Sequence, residues 1–206
     1  GWMIANVWTD DVRYFGTDNV IKAYEENIQK HVKVKLLGVP GEFVGTEFHQ
    51  DLDRGLCELK SPKYWEAAMI KVGKYFKDGI KERKNPMSIY DEKIMQEEVS
   101  DAEFEEAKHL EYRELCGIVS YPAACVKLEM RYAISVCGRH RSKWGFKQFN
   151  ILKKVFEYGY TTRHMGIIYS RGLDSHGDNT TYCYADSGHS LPRSYGCTIS
   201  MMNGAV

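Results

Sequence analysis

The first part of the chain alternates short apolar runs with turn residues, which predicts a β-hairpin. Residues 2–8 and 12–15 are apolar and rich in aromatic side chains, and a short polar stretch separates them: Thr9, Asp10 and Asp11. Two strand-like runs joined by so short a polar segment are typical of a tight hairpin. We therefore expect two adjacent aspartates at a hairpin tip.

Similar patterns predict strands further along the chain. Val32, Val34 and Leu36 alternate with lysines, which indicates a half-buried strand. Two more strand-like runs flank an Asp-containing turn and predict a second hairpin. Beyond a loop rich in Gly, Asp and Ser, two last strands are predicted. The second hairpin covers 42–50 and 55–60 with its turn at 51–54, the loop covers 172–179, and the last strands cover 181–185 and 197–202.

Apolar residues at helical spacing predict a helical region between these strand-rich ends. Ser61 followed by Pro62 is typical of a helix start. Ser100 with Glu103 has the spacing of a capping box. The charged residues 81–99 contain a proline and are interpreted as a linker. The predicted helices are 18–31, one from Pro62 to Gly79, one after Ser100, and two or three segments over 112–160 broken near Pro122 and Gly145.

The composition is that of an ordinary globular protein without net charge. Of 206 residues, 43% are hydrophobic, and 28 Lys and Arg balance 28 Asp and Glu. Nucleic-acid-binding proteins usually carry a basic excess, so here only a local surface can bind nucleic acid. No apolar run reaches the roughly 18 residues of a membrane span. With strands towards both ends and helices between them, the expected fold class is α+β in several parts.

Cysteine and histidine positions indicate no metal centre. The six cysteines form no C-x-x-C pair, and the dispersed histidines lack the spacing of a zinc site. The cysteines are therefore interpreted as reduced thiols of an intracellular protein. The chain also has no P-loop, G-x-G-x-x-G or G-x-S-x-G motif, so nucleotide hydrolysis, dinucleotide binding and serine hydrolase chemistry have no support.

The paired aspartates, Asp10 and Asp11, have a catalytic and a structural interpretation. Nucleotidyl transfer by two metal ions needs clustered carboxylates that hold the ions about 3.5–4 Å apart. A hairpin tip is a rigid place to present such carboxylates. Aspartate is also common in turns, because its side chain hydrogen-bonds nearby backbone. The residue pair alone does not decide between these interpretations.

The surrounding sequence resembles the reverse transcriptase of copia-type retrotransposons. Residues 8–16, WTDDVRYFG, are similar to the Y-V-D-D box of that family, with Trp8 and Thr9 in place of Tyr and Val. Further similar segments follow in the family's order. They are 37–47, LGVPGEFVGTE, similar to L-G-E-L-x-x-F-L-G-I-E; 112–117, YRELCG, similar to Y-R-x-L-V-G; 130–135, MRYAIS, similar to D-I-A-Y-A-V-S; and 152–158 with 166–169, similar to R-I-L-R-Y-L and G-L-x-Y.

This resemblance implies an RNA-directed DNA polymerase with an attached RNase H, which would use Mg²⁺ and bind an RNA or DNA primer–template. It assigns residues 1–80 to the carboxy-terminal half of the palm and the start of the thumb. It assigns 100–164 to a helical thumb or connection. Residues 165–206 would be the first strands of an RNase H-like domain, truncated in this chain.

The resemblance also assigns site residues. Asp10 and Asp11 correspond to metal-binding catalytic residues of the polymerase, and Trp8 to the residue that lies against the primer terminus. Asp186 corresponds to the first metal-binding carboxylate of RNase H, and Gly188 stands where the family has its second acid. In the family, a third polymerase aspartate precedes the Asp-Asp box and further RNase H acids follow the first. Both sites are therefore expected to be incomplete here.

The most basic stretch lies in the helical region and is a candidate primer–template surface. It covers 139–144 together with Lys147, Lys153 and Lys154, and the aromatic residues Trp144, Phe146 and Phe149 are interleaved with its charges. Phosphate contacts supply much of nucleic-acid affinity, so this stretch could face a nucleic-acid backbone. The alternative is a solvated helix face whose aromatic residues lie in the core. The candidate contact residues are Arg139, Arg141, Lys143 and Lys147.

Two other functions fit the sequence. One is a catalytically dead, retroelement-derived subunit that serves a structural or binding role in a larger assembly, where protein partners cover its sheet edges. The other is a nucleic-acid-binding module without catalysis, for which salt-dependent binding is diagnostic.

Overall fold

The computed structural model describes residues 1–38, 41–51, 53–170, 181–188 and 195–202. Within these residues the strands form three separate antiparallel sheets and most helices share one core, so the α+β class is confirmed. The strands are β1 Met3–Trp8, β2 Asp11–Gly16, β3 Glu42–Phe43, β4 Thr46–Asp51, β5 Leu56–Lys60, β6 Ile167–Ser170, β7 Thr181–Gly188 and β8 Tyr195–Met202. The helices are α1 Asp18–His31, α2 Pro62–Val72, α3 Ile89–Ile94, α4 Asp101–Ala107, α5 Tyr112–Cys125, α6 Arg131–Gly138 and α7 Phe146–Thr161.

The first hairpin and the helix after it form as the sequence predicts. β1 and β2 are antiparallel, with Met3 opposite Gly16. α1 begins after the N-cap residue Thr17. The backbone N–H of Thr17 donates to the carbonyl of Trp2 (2.9 Å), which continues the strand pairing up to the start of the helix. None of the 14 residues of α1 is buried, so this hairpin-and-helix unit contributes little to the core.

The second hairpin belongs to a four-stranded sheet in the order β3-β4-β5-β6. The resemblance places β5 in the segment 1–80 and β6 in the segment 165–206, yet these two strands pair directly, with Leu59 opposite Ile167. Gly166 makes this approach possible. A Cβ atom there would lie 2.0 Å from the carbonyl oxygen of Leu59, so only glycine fits. The four-stranded sheet therefore spans the boundary expected near residue 165.

The strand predicted at 32–36 is absent, and this prediction was wrong. Residues 32–38 have no regular structure. Val32 is the C-cap residue of α1, and the side chains of Leu36 and Leu37 are exposed. A strand needs a neighbour whose backbone groups pair with its own. No described strand pairs with this segment. The alternation of apolar residues with lysines is therefore not sufficient to form a strand here.

The core is helical and aromatic. Trp65 of α2 is fully buried against Phe156 of α7, with ring centroids 5.5 Å apart, and Phe76 stacks on Phe156 at 5.0 Å. Tyr112 of α5 stacks on Trp144 at 5.5 Å, which fixes α5 against the segment that leads into α7. None of the helices in the described part of the chain is long and apolar enough to span a membrane.

Pro122 does not break the helical region as predicted, but lies inside the last turn of α5. Proline has no N–H, so it leaves the carbonyl of Ile118, four residues earlier, without its helical donor. The hydroxyl of Tyr64 in α2 donates to that carbonyl instead (2.8 Å). Tyr64 thus supplies the hydrogen bond that the Ile118 carbonyl lacks within the helix. The break at Gly145 is confirmed, because this residue is the N-cap of α7.

The sequence predicted a linker at 81–99. The structure has α3 and several buried side chains in this segment instead. Ser88 and Asp91 form a capping box: the Ser88 hydroxyl accepts from the Asp91 N–H (3.1 Å), and the Asp91 carboxylate accepts from the Ser88 N–H (3.2 Å). Met95 and Val99 are buried. The linker prediction relied on the high charge of the segment and overlooked these few residues that pack into the fold.

Asp91 also joins α3 to α7, and its replacement should destabilise the fold. Its nearly buried carboxylate accepts from the Lys154 ammonium and the Ser88 hydroxyl, both at 2.6 Å. Burial raises the pKa of Asp91, but the hydrogen bonds from Lys154 and Ser88 outweigh this and hold the pKa below its ordinary value. Asp91→Asn should lower the free energy of unfolding by about 2 kcal/mol near neutral pH, because Lys154 loses its charged partner.

This effect should depend on pH. A carboxylate with a lowered pKa stabilises the fold above its ordinary pKa of about 4 and stops doing so as the pH falls through the lowered value. The stability difference between wild type and Asp91→Asn should therefore shrink in acid. Urea denaturation over a pH series measures it, with the exposed turn residue change Asp53→Asn as control. A difference that stays constant with pH would contradict the assigned interaction.

Candidate functional site

The two aspartates lie at the tip of the first hairpin. Trp8 pairs with Asp11, so the loop consists of Thr9 and Asp10, and Asp11 is the first residue of β2. Thr9 has a φ of 54°, in the left-handed region that favours glycine. Two-residue hairpin loops need such a backbone, and a β-branched residue there is strained by about 1–3 kcal/mol. Strained backbone of this kind is enriched at functional sites.

A pocket of about 540 Å³ opens beside this tip. Its walls come from the hairpin, α1, the irregular segment after α1, and the turn between β3 and β4. Three carboxylates line it, those of Asp10, Asp11 and Glu42, together with the cations Arg13 and Lys35. The sequence did not single out Glu42 as a site residue, although it lies in the segment that resembles the retrotransposon family. Its position in that segment was the available signal.

These carboxylates suit a hard cation but do not form a complete metal cage. Mg²⁺ is commonly bound by one or two carboxylates together with substrate phosphates. Asp10 and Asp11 are exposed and have the donor atoms for this role. The carboxylate of Glu42 accepts a hydrogen bond from Nζ of Lys63 (3.1 Å). Among the described residues, no group of three or more His, Cys, Asp or Glu side chains could hold a metal ion.

Neighbouring contacts fix the hairpin relative to α1 and the four-stranded sheet. The hydroxyl of Tyr14 in β2 donates to the carboxylate of Glu25 in α1 (2.5 Å). Burial and this contact with Glu25 raise the pKa of Tyr14 to about 12, so the hydroxyl keeps its proton at neutral pH. The guanidinium of Arg13 lies 3.7 Å from the ring centroid of Phe48 in β4. The hairpin that carries the aspartates is thus held on two sides.

The other residues assigned by the resemblance lie in strands. Trp8 is the last residue of β1, and Asp186 lies in β7, opposite Cys197 of β8. The two acidic motifs are therefore on different sheets. The loop predicted at 172–179 lies outside the described residues.

Most candidate residues of the basic stretch are engaged within the protein. Lys143 pairs with Asp101 (2.6 Å), and Lys147 pairs with Glu97 (2.7 Å). Arg141 folds back onto α5, where its guanidinium donates to the hydroxyl of Ser120 (3.0 Å). These pairings neutralise two of the lysines and reduce the positive potential that a nucleic acid would meet.

The aromatic residues of this stretch divide between core and surface. Trp144 and Phe149 are buried, and the indole N–H of Trp144 donates to the carbonyl of Ala107 (3.1 Å). Phe146 and Arg139 are exposed. The sequence also allowed an alternative, a solvated helix face whose aromatic residues lie in the core. Trp144 and Phe149 fit this alternative.

Comparisons with protein-family models, with curated proteins and with solved structures each find no match to this chain.

The first hairpin carries an exposed apolar patch. Ile4 lies opposite Phe15, and the ring of Trp2 contacts that of Phe15 with centroids 6.0 Å apart. All three side chains are more than half exposed, at 55%, 53% and 55% for Ile4, Phe15 and Trp2. A two-stranded hairpin is marginally stable alone, and exposed apolar patches mark surfaces that pack against another element. The hairpin that presents Asp10 and Asp11 therefore has an exposed apolar face of the kind that packs against another element.

Proposed function

We propose that the chain is the carboxy-terminal part of a copia-type reverse transcriptase that continues into RNase H. The observation that carries this proposal is the pair Asp10 and Asp11 at a strained hairpin tip, followed by a helix and then by family-like segments in the family's order. A chance Asp-Asp turn does not account for that order.

In this proposal, Asp10 and Asp11 hold the metal ions of nucleotidyl transfer. Mg²⁺ supplies the positive charge that stabilises a transferring phosphoryl group. The two carboxylates bind and orient the ions, and Trp8 at the end of β1 supports the primer terminus. Asp186 contributes a carboxylate to RNase H chemistry. In the family, an aspartate before the Asp-Asp box completes the polymerase site and acids after the first complete the RNase H site, so in this proposal neither is active in the isolated 206 residues.

A second function is a catalytically inactive, retroelement-derived subunit of a larger assembly. It is favoured by the exposed patch of Trp2, Ile4 and Phe15, which protein partners would cover. The pairing of Lys143 and Lys147 with acidic residues and the zero net charge also favour it, because both weaken attraction to nucleic acid.

The native molecular mass and the co-purifying material distinguish these functions. If the chain is part of a polymerase polyprotein, the native protein should have a mass well above 23.7 kDa and carry nucleic acid. Native mass spectrometry and absorbance at nucleic-acid wavelengths measure both. A native chain close to 23.7 kDa with stoichiometric protein partners would contradict the polymerase proposal and support the structural subunit.

A further inference from the structure

A polar cleft of about 210 Å³ lies far along the sequence from the aspartates, in the helical part of the molecule. One wall is α7, and the other is the segment that follows the short 3₁₀ turn Gly73–Tyr75. Four cationic side chains line it, but only two acidic ones do. The cations are Lys81, Arg83, Lys153 and Lys154, and the acids are Asp78 and Glu157.

One buried carboxylate fixes this cleft. Glu157 of α7 is 5% exposed and accepts from Nε of Arg83 (2.7 Å) and from the backbone N–H of Lys81 (3.3 Å). It therefore clamps the segment 81–83 onto α7. Lys154, on the same wall of the cleft as Glu157, is paired with Asp91 of α3 (2.6 Å). The cationic residues are thus positioned by the fold, unlike those of a mobile surface tail.

Two of the cations are not neutralised. Among the described residues, the ammonium groups of Lys81 and Lys153 have no carboxylate partner in an ion pair or hydrogen bond. Lys153 is half-buried and lies 5.2 Å from the ring centroid of Phe76. Both lysines line the same cleft, and a bound anion would relieve the repulsion between like charges there.

We propose that this cleft binds a phosphate group, carried either by a nucleic-acid backbone or by a small phosphate ester. Lys81 and Lys153 supply two ammonium donors, and the exposed amide of Asn150 on α7 supplies a neutral donor at the same cleft. A phosphate oxyanion accepts such charge-assisted hydrogen bonds strongly. The part of the basic stretch over 139–147 is less suited, because Lys143 and Lys147 are already paired.

This site does not depend on Asp10, Asp11 or polymerase chemistry. If the cleft binds no phosphate, the proposed polymerase function is unaffected. If the polymerase proposal is wrong, phosphate binding by the cleft is unaffected, because binding is measured without DNA synthesis.

The test compares the double variant Lys81→Gln/Lys153→Gln with the charge-matched control Lys30→Gln/Lys71→Gln, whose lysines are exposed and outside the cleft. The first measurement is the Tm of the 206-residue chain in chloride and in inorganic phosphate at equal ionic strength. At about ten times Kd, phosphate should raise the Tm of wild type and control by roughly 3–5 °C, with no rise in the cleft variant. In chloride, the cleft variant should melt no lower than the control, which shows that it folds.

The second measurement is the affinity for a fluorescent single-stranded oligonucleotide at increasing salt. If the phosphate belongs to a nucleic-acid backbone, the slope of log affinity against log salt should fall by about 1.4 in the cleft variant, about 0.7 for each lost contact. If only the response to inorganic phosphate is lost, the ligand is a small phosphate ester. If the cleft variant and the control behave alike in both measurements, the proposal is wrong.

Discussion

Replacing Asp10 by Asn should remove metal-dependent primer extension from the reverse transcriptase to which we propose that this chain belongs. The proposed polymerase site binds Mg²⁺ through Asp10 and Asp11, and an amide is a neutral and weaker ligand. Metal ions contribute several kcal/mol to the stabilisation of a transition state. We therefore expect extension to fall by about 1000-fold or more, since each tenfold loss corresponds to about 1.4 kcal/mol. Incorporation of labelled nucleotide on a primed RNA template measures it.

The matched control for this experiment is Asp53→Asn, an exposed aspartate in the turn between β4 and β5. It should extend primers at the wild-type rate. The Asp10→Asn protein should still bind primer–template, because its loss is confined to metal binding. Retention of wild-type extension by Asp10→Asn would contradict the assignment, and a loss of binding equal to the loss of extension would indicate unfolding of the hairpin.

Replacing Gly159 by Ala should be among the most destabilising single changes in the core. A Cβ atom at Gly159 would lie 2.1 Å from Cη2 and 2.4 Å from Cζ2 of Trp65. Trp65 is fully buried and packs against Phe156, so its rigid ring cannot move aside without displacing α2 from α7. Overpacking of this kind usually costs about 1–3 kcal/mol, and so close an overlap should reach the upper end, about 3 kcal/mol.

Gly117→Ala is the matched control, because Gly117 is exposed in α5 and a Cβ atom there meets nothing within 4 Å. Alanine forms helix more readily than glycine, so this change should raise the free energy of unfolding by about 0.5–1 kcal/mol. Urea denaturation measures both changes: the free energy of unfolding should fall for Gly159→Ala and rise for Gly117→Ala. Equal stabilities for Gly159→Ala and wild type would show that α2 and α7 do not pack as described.

Local sequence signals predicted the elements whose residues are close in the chain. The hairpin around Asp10 and the helix Asp18–His31 followed from apolar spacing and short turns. The hairpin that turns near Asp51 and the helix start at Pro62 followed in the same way. In each case the partner strand or the helix start lies within a few residues, so the sequence pattern contains the information needed.

Contacts between distant segments were not predictable in this way. The pairing of β6 with β5 depends on Gly166, whose need for close approach to Leu59 is visible only in three dimensions. Pro122 was expected to end a helix, but Tyr64 supplies the missing donor from another helix. The basic stretch was a candidate primer–template surface, but two of its lysines find acidic partners more than 40 residues away.

The candidate site was predictable in part. Asp10 and Asp11 were found from their position in the hairpin and from the resemblance. Glu42 was missed, because its place at the same pocket depends on how the β3–β4 turn packs beside the hairpin. The sequence placed Lys153 in the basic stretch but did not predict the cleft that it shares with Lys81, because Glu157 holds the distant segment 81–83 on α7.

Primer extension by the proposed longer reverse transcriptase and by the isolated 206-residue chain, side by side in Mg²⁺ and in chelator, tests the polymerase proposal most directly. We predict Mg²⁺-dependent extension by the longer protein and none by the isolated chain, because copia-type polymerases also use an aspartate that precedes their Asp-Asp box. Absence of extension by the longer protein, under conditions where it binds primer–template, would contradict the proposal that Asp10 and Asp11 belong to a working polymerase site.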